Sequence, residues 1–161
     1  MTRCLLCLVA AARLLLGADT VPKFEDFPVT TRWSGSNAPV RLVTRDERMY
    51  RTRLTEGARE KPDFADHYKF VGWGCGSWCG AGALIDLQTG IVYPPPRSLP
   101  GQGTGPGMFA SGQASIDFKL DSRLFVVRQM AQDPDFEEII YYEWTGSGFR
   151  SLTKRIEKRK D

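Results

Sequence analysis

Beyond residue 66 the chain repeats one pattern: a short alternating or apolar run, then a break at glycine or at an acidic or serine pair. That rhythm is the strongest constraint on the fold. "HYKFVGW" (67–73) alternates and is rich in aromatics. "AGALIDL" (81–87) and "TGIVY" (89–93) flank Gln88-Thr89-Gly90, where glycine supplies the positive φ of a tight turn. "ASIDFKLDSRLFVVRQM" (114–130) reads as a hairpin turning at Asp121-Ser122, and "EIIYYEW" with "FRSLTK" as another across the turn 145–148. Connections this local make antiparallel pairing the default. The expectation is a β-meander of about seven short strands. "PPPRSLPGQGTGPG" (94–107) is a long loop, because its proline and glycine content suits neither helix nor sheet.

Upstream the pattern differs. Residues 19–43 mix proline, charge and isolated aromatics without a period and read as an extended arm, with a short strand at Val40–Val43. Thr44-Arg45-Asp46-Glu47 is a capping box: hydroxyl and carboxylate each take up the other residue's amide. One helix is expected to follow, with Tyr50, Leu54 and Ala58 as its apolar stripe and Pro62 as its stop. Arg48, Arg51, Arg53 and Arg59 fall off the stripe. They read as a solvated face, the alternative being a surface for an anionic partner. The fold class is therefore α+β, β-dominated, with a single domain over 44–154 and a charged tail over 155–161.

At 161 residues the chain suits one domain, and 42% hydrophobic against 25% charged residues is ordinary globular composition. A net charge of +3 lacks the dense basic surface of a nucleic-acid binder. "MTRCLLCLVAAARLLLGA" (1–18) has the layout of a secretory signal peptide: a positive charge, an apolar stretch interrupted by Arg13, and small residues before Asp19. Neither apolar piece reaches the length of about 20 residues needed to span a bilayer. The expectation is a periplasmic or secreted monomer with no membrane span in the mature chain. Cleavage after Ala18 removes Cys4 and Cys7 and leaves Cys75 and Cys79.

Those two cysteines stand in "FADHYKFVGWGCGSWCG" (64–80), which also holds the sole histidine, His67. In an exported protein a lone cysteine pair is expected to oxidise, and the surrounding glycines let the chain bend tightly enough for it. A redox site of the thioredoxin kind needs C-x-x-C at a helix N-terminus, whereas this spacing is C-x-x-x-C among glycines. A zinc site would draw on Cys75, Cys79 and His67, with no second cysteine or histidine pair. His67 pairs with a neighbouring carboxylate such as Asp66, or else lines a surface with Trp73 and Trp78. "GQGTGPG" lacks the Lys-Ser/Thr of a phosphate loop, "DPDFEE" (133–138) lacks the glycine and spacing of a calcium loop, and the common hydrolase motifs do not occur. No catalytic residue, metal or cofactor is assigned.

Residues 45–93 resemble a group of small exported bacterial proteins. Their pattern runs Asn-Phe-Ala-Gly-His-Tyr, a strand, W-G-C-G-x-x-C, and a hairpin with D-x-x-T-G. Trp73, Gly74, Cys75, Gly76, Cys79, Asp86, Thr89 and Gly90 stand where the pattern has them, with a weaker echo in "DSRLFVV" and "YYEW". Asp63 and Asp66 replace its asparagine and glycine. The resemblance implies export and a Cys75–Cys79 pair, and it implies no activity.

The leading expectation is a non-enzymatic binding or interaction module of the envelope or extracellular space, using the surface around His67, Trp73 and Trp78. The alternatives are a thiol enzyme or redox protein using Cys75 or Cys79, and an inhibitor-type or structural partner of an envelope enzyme. A disulfide closing so short a loop contributes only ~2 kcal/mol on the chain-entropy model. Cys75→Ser with Cys79→Ser is therefore expected to leave a folded protein with a lower melting temperature. Mass spectrometry of the non-reduced mature protein is the direct check: two free thiols would overturn the bond.

Overall fold

A computed structural model describes residues 20–76, 79–96, 108–109 and 114–159. Eight strands lie among them, in two antiparallel sheets. The first sheet is built on a hairpin of β1 (Tyr68–Gly76) and β2 (Cys79–Asp86), in register from Tyr68 opposite Asp86 to Gly74 opposite Gly80. The short strands β3 (Val92–Tyr93) and β4 (Met108–Phe109) share the far edge of β2, pairing with Leu84–Ile85 and Gly80–Ala81 respectively. The second sheet is an uninterrupted meander of β5 (Ala114–Phe118), β6 (Leu124–Met130), β7 (Phe136–Trp144) and β8 (Phe149–Lys158). The expected β-dominated class stands, divided between two sheets, with β1 to β4 in one and β5 to β8 in the other. Residues 155–158, read as the start of a tail, belong to β8 and pair with β7.

The burial pattern explains why "AGALIDL" runs apolar instead of alternating. Strand β2 is covered on both sides, and both faces of such a strand must be hydrophobic. Leu84 packs into a cluster with Phe64, Tyr68, Phe125, Tyr142 and Trp144, which joins the two sheets. Ala81, Ala83 and Ile85 pack instead with Leu54, Ala58 and Trp73 on the opposite side. The inter-sheet layer is mostly aromatic. The Phe118 and Phe125 rings stack with centroids 5.6 Å apart, and Tyr68 meets Trp144 edge-on at 5.1 Å.

The arm packs on the outer faces of both sheets. Val21, Phe24 and Phe27 lie on Leu124, Val126, Ile139 and Tyr141 of the second sheet. Trp33, Val40 and Leu42 lie on the far side of the first. Residues 40–43 form no strand. They are tied instead to the β2–β3 turn, where the Ala38 N–H donates to the Leu87 carbonyl and the Arg41 N–H to the Gly90 carbonyl.

The capping box at Thr44 forms as the sequence indicates: the Glu47 N–H donates to the Thr44 hydroxyl at 3.1 Å, and the Thr44 N–H to the Glu47 carboxylate at 2.9 Å. The single expected helix is, however, two short ones, α1 (Arg45–Met49) and α2 (Arg51–Gly57). The chain leaves helical geometry at Tyr50 (φ −99°, ψ 19°), where the Tyr50 ring packs on Trp73 with centroids 4.9 Å apart. Pro62 is not the stop. Helix α2 ends at Gly57, and the Asn37 side-chain amide donates to the carbonyls of Ala58 and Glu60 just beyond it. Gly57 is required there, since a Cβ would sit 2.3 Å from Val71 of β1.

Thr44→Ala removes one capping side chain and is expected to cost about 1 kcal/mol. Thr153→Ala, at an exposed position of β8, should cost much less. Urea unfolding of the two variants checks this, and equal shifts would contradict the cap.

Candidate functional site

The segment Phe64–Tyr68 makes a tight corner whose ends form an isolated antiparallel bridge. Two of its residues hold left-handed backbone, Ala65 at φ 41° and Asp66 at φ 79°. Such a conformation is costly for side-chain-bearing residues and persists only where surroundings over-determine it. Here they do. The Ala65 and Asp66 N–H groups donate to the carbonyls of Lys119 and Leu120, between β5 and β6. The Asp66 carboxylate accepts from the Trp33 N–H at 2.6 Å and the Thr31 hydroxyl at 3.0 Å, both on the arm. The His67 carbonyl accepts from the Leu87 N–H at the β2 turn.

His67 lies between two acids. Its Nδ1 is 3.4 Å from Asp66 Oδ2 and its Nε2 is 3.7 Å from Asp86 Oδ1, while the ring packs on Tyr68 with centroids 4.2 Å apart. Asp86 is itself engaged in its turn: it accepts from the N–H groups of Gln88 and Thr89 and from the Thr89 hydroxyl. Gly90 completes that turn at φ 76°, and a Cβ there would lie 2.0 Å from the Pro39 carbonyl oxygen. The acids address opposite nitrogens of the ring, an arrangement for orienting an imidazole. Among the described residues no group of His, Cys, Asp and Glu is placed to hold a metal ion.

Of the predicted site residues, His67 and Trp73 do not share a surface. Trp73 is only 9% exposed and belongs to the core beneath α2, with its indole N–H lacking an acceptor among the described residues. It is not part of a surface. His67 immediately precedes β1 and Cys75 stands near its end. At about 3.3 Å per residue the strand separates them by roughly 25 Å. The register shift between Gly74 and Gly76 places Cys75 in an irregularity of β1, and Cys79 opens β2 opposite Gly76. The cysteine side chains, and Ser77 and Trp78 entirely, lie outside the described residues, and so does the expected Cys75–Cys79 pairing.

A concavity absent from the sequence reading lies elsewhere. A groove of about 800 Å³ separates the arm from α2 and the segment after it. Trp33, Pro39, Val40 and Leu42 form its apolar wall, and Thr55 and Arg59 stand on the helical side. Its sequence signal was faint, because the wall comes from a segment without periodicity.

Two buried carboxylates make acid sensitivity calculable in sign. Burial of Asp66 opposes its charge, but the bonds from Trp33 and Thr31 and the proximity of His67 outweigh this and hold its pKa below the ordinary value. For Glu143 burial again opposes the charge, and a bond from Arg150 with the charges of Arg123 and Arg150 prevails. With both folded-state pKa values depressed, the unfolded chain takes up protons first. Stability present above the ordinary carboxylate range of about 4 is thus lost as pH falls through the folded values. Thermal unfolding between pH 6 and pH 3 should show Asp66→Asn with Glu143→Gln starting lower and falling less steeply than the wild type. Parallel slopes would contradict the assignment.

Comparison with protein-family models, with curated proteins and with solved structures found no match for this chain.

Proposed function

We propose that this chain is an exported, non-enzymatic binding module whose ligand site is the groove between the arm and α2. The groove carries this reading. Its volume of about 800 Å³ lies in the range of ligand sites, and it pairs an apolar wall with a few polar groups at its margin. The arm that forms the wall is held at both ends, by Asp66 on one side and by the Leu87 and Gly90 carbonyls on the other. A site pre-formed in this way binds without paying the entropy of ordering its wall.

The thiol-enzyme alternative loses its most natural base, because the only histidine stands at the opposite end of β1 from Cys75. Export, and residence in the periplasm or outside the cell, rest on the leader-like segment 1–18 and on the resemblance over 45–93. The Asp66 geometry supports that resemblance: the position where the pattern has glycine is left-handed here, at φ 79°. Among the described residues no helix is long and apolar enough to cross a membrane.

Filling the groove tests the reading. Thr55 is half-buried on α2 and faces the groove, so Thr55→Trp should obstruct it and leave the core intact. Affinity capture from envelope extract, read by mass spectrometry, is expected to return a species with the wild type and lose it with the variant. Recovery of the same species by both would overturn the site. Rapid labelling of thiols in native protein would favour the enzyme reading instead.

A further inference from the structure

Helices α1 and α2 and their flanks carry exposed cations that take part in no ion pair among the described residues. Leu54, Gly57 and Ala58 turn inward, which leaves Arg45, Arg51 and Arg53 facing solvent. Arg41 precedes them, and Lys61 follows. None of these five has an ion-pair partner among the described residues, whereas Lys69, Arg123, Arg128, Arg150 and Lys154 elsewhere all do. Of the nearby acids, Glu47 is committed to the cap at Thr44 and Glu60 to Lys69, while Asp46 on α1 and Glu56 on α2 have no ion-pair partner among the described residues, so the cations outnumber the acids left to offset them.

The same segment exposes two large apolar side chains, Val43 at 70% and Met49 at 63%. They bracket α1 among the cations. A soluble polyanion satisfies arginines but offers nothing to exposed Val and Met side chains. A bilayer with anionic headgroups satisfies both, taking the apolar groups below the phosphate plane while the guanidinium groups stay at it.

We propose that the α1–α2 segment is a docking surface for an anionic lipid bilayer, with Arg45, Arg51 and Arg53 on the headgroups and Val43 and Met49 inserted between them. Its test is kept apart from the groove: Arg59 and Lys61, which line the groove, are left out of it.

The test is co-sedimentation of the full chain with vesicles of phosphatidylglycerol or of phosphatidylcholine at low salt, beside binding to soluble polyphosphate. The expected result is partition onto the phosphatidylglycerol vesicles alone. Arg45→Gln, Arg51→Gln and Arg53→Gln together should weaken it about 100-fold, at about fivefold per cation. Val43→Ser with Met49→Ser should weaken it about tenfold without altering binding to polyphosphate. All five side chains are exposed and none belongs to the cap or the core, so the variants keep the fold. Absence of partition, or equal partition onto phosphatidylcholine, would overturn the proposal. So would wild-type partition by the Val43 and Met49 variant, which would make the surface a site for soluble polyanions.

Discussion

The structure hangs on a corner five residues long. At Phe64–Tyr68 the chain turns through left-handed backbone, and one carboxylate, that of Asp66, secures the arm to the turn. Phe64 and Tyr68, at the ends of the corner, enter the aromatic layer between the sheets. The amides between them bind the β5–β6 connection, and the His67 carbonyl binds the β2 turn. Every major part of the molecule except the helices meets there. The residues most suggestive of chemistry in the sequence, a lone histidine beside an aspartate, have a place in this architecture: the imidazole lies between Asp66 and Asp86, one in each of two turns.

A second constraint follows from β2. A strand buried on both faces needs a cover on each, and the second sheet supplies only one. The other comes from α2 and the arm, which explains why Gly57 lies against Val71 and why Gly90 admits the Pro39 carbonyl so closely. Close approach of backbone to strand is what thin covering elements need if they are to exclude water. The groove is the place where that cover is incomplete, between an arm without regular structure and a helix that ends early.

The longer strands, their antiparallel pairing and the capped helix start were legible because each depends on neighbours in sequence: Thr44 with Glu47, Gly90 in its turn, Gly146 between β7 and β8; the two-residue β4 was not. The break at Tyr50 was not, since it coincides with a ring contact to Trp73 on another element. Trp73 was misplaced for a related reason. Alternation along β1 tells which residues share a face, but which face is covered depends on the helices. The path of the arm was least legible, because its partners lie far along the chain and leave no period behind. The Asp66–His67 contact could be anticipated from adjacency, whereas the Asp86 contact to the same ring required the fold.

The arm has a consequence for how the protein reaches this state. The Ser122 hydroxyl donates to the Phe24 carbonyl across 98 positions of sequence, and Phe24 and Phe27 pack on β6 and β7. The residues synthesised earliest among those described thus find their partners only after β6 and β7 have been made. Closing so long a loop is an entropic cost met before its contacts form, and folds dominated by such contacts assemble slowly. Until then the apolar outer face of the second sheet stands uncovered. The interval between synthesis of β7 and docking of the arm is one in which this fold is exposed to aggregation and proteolysis.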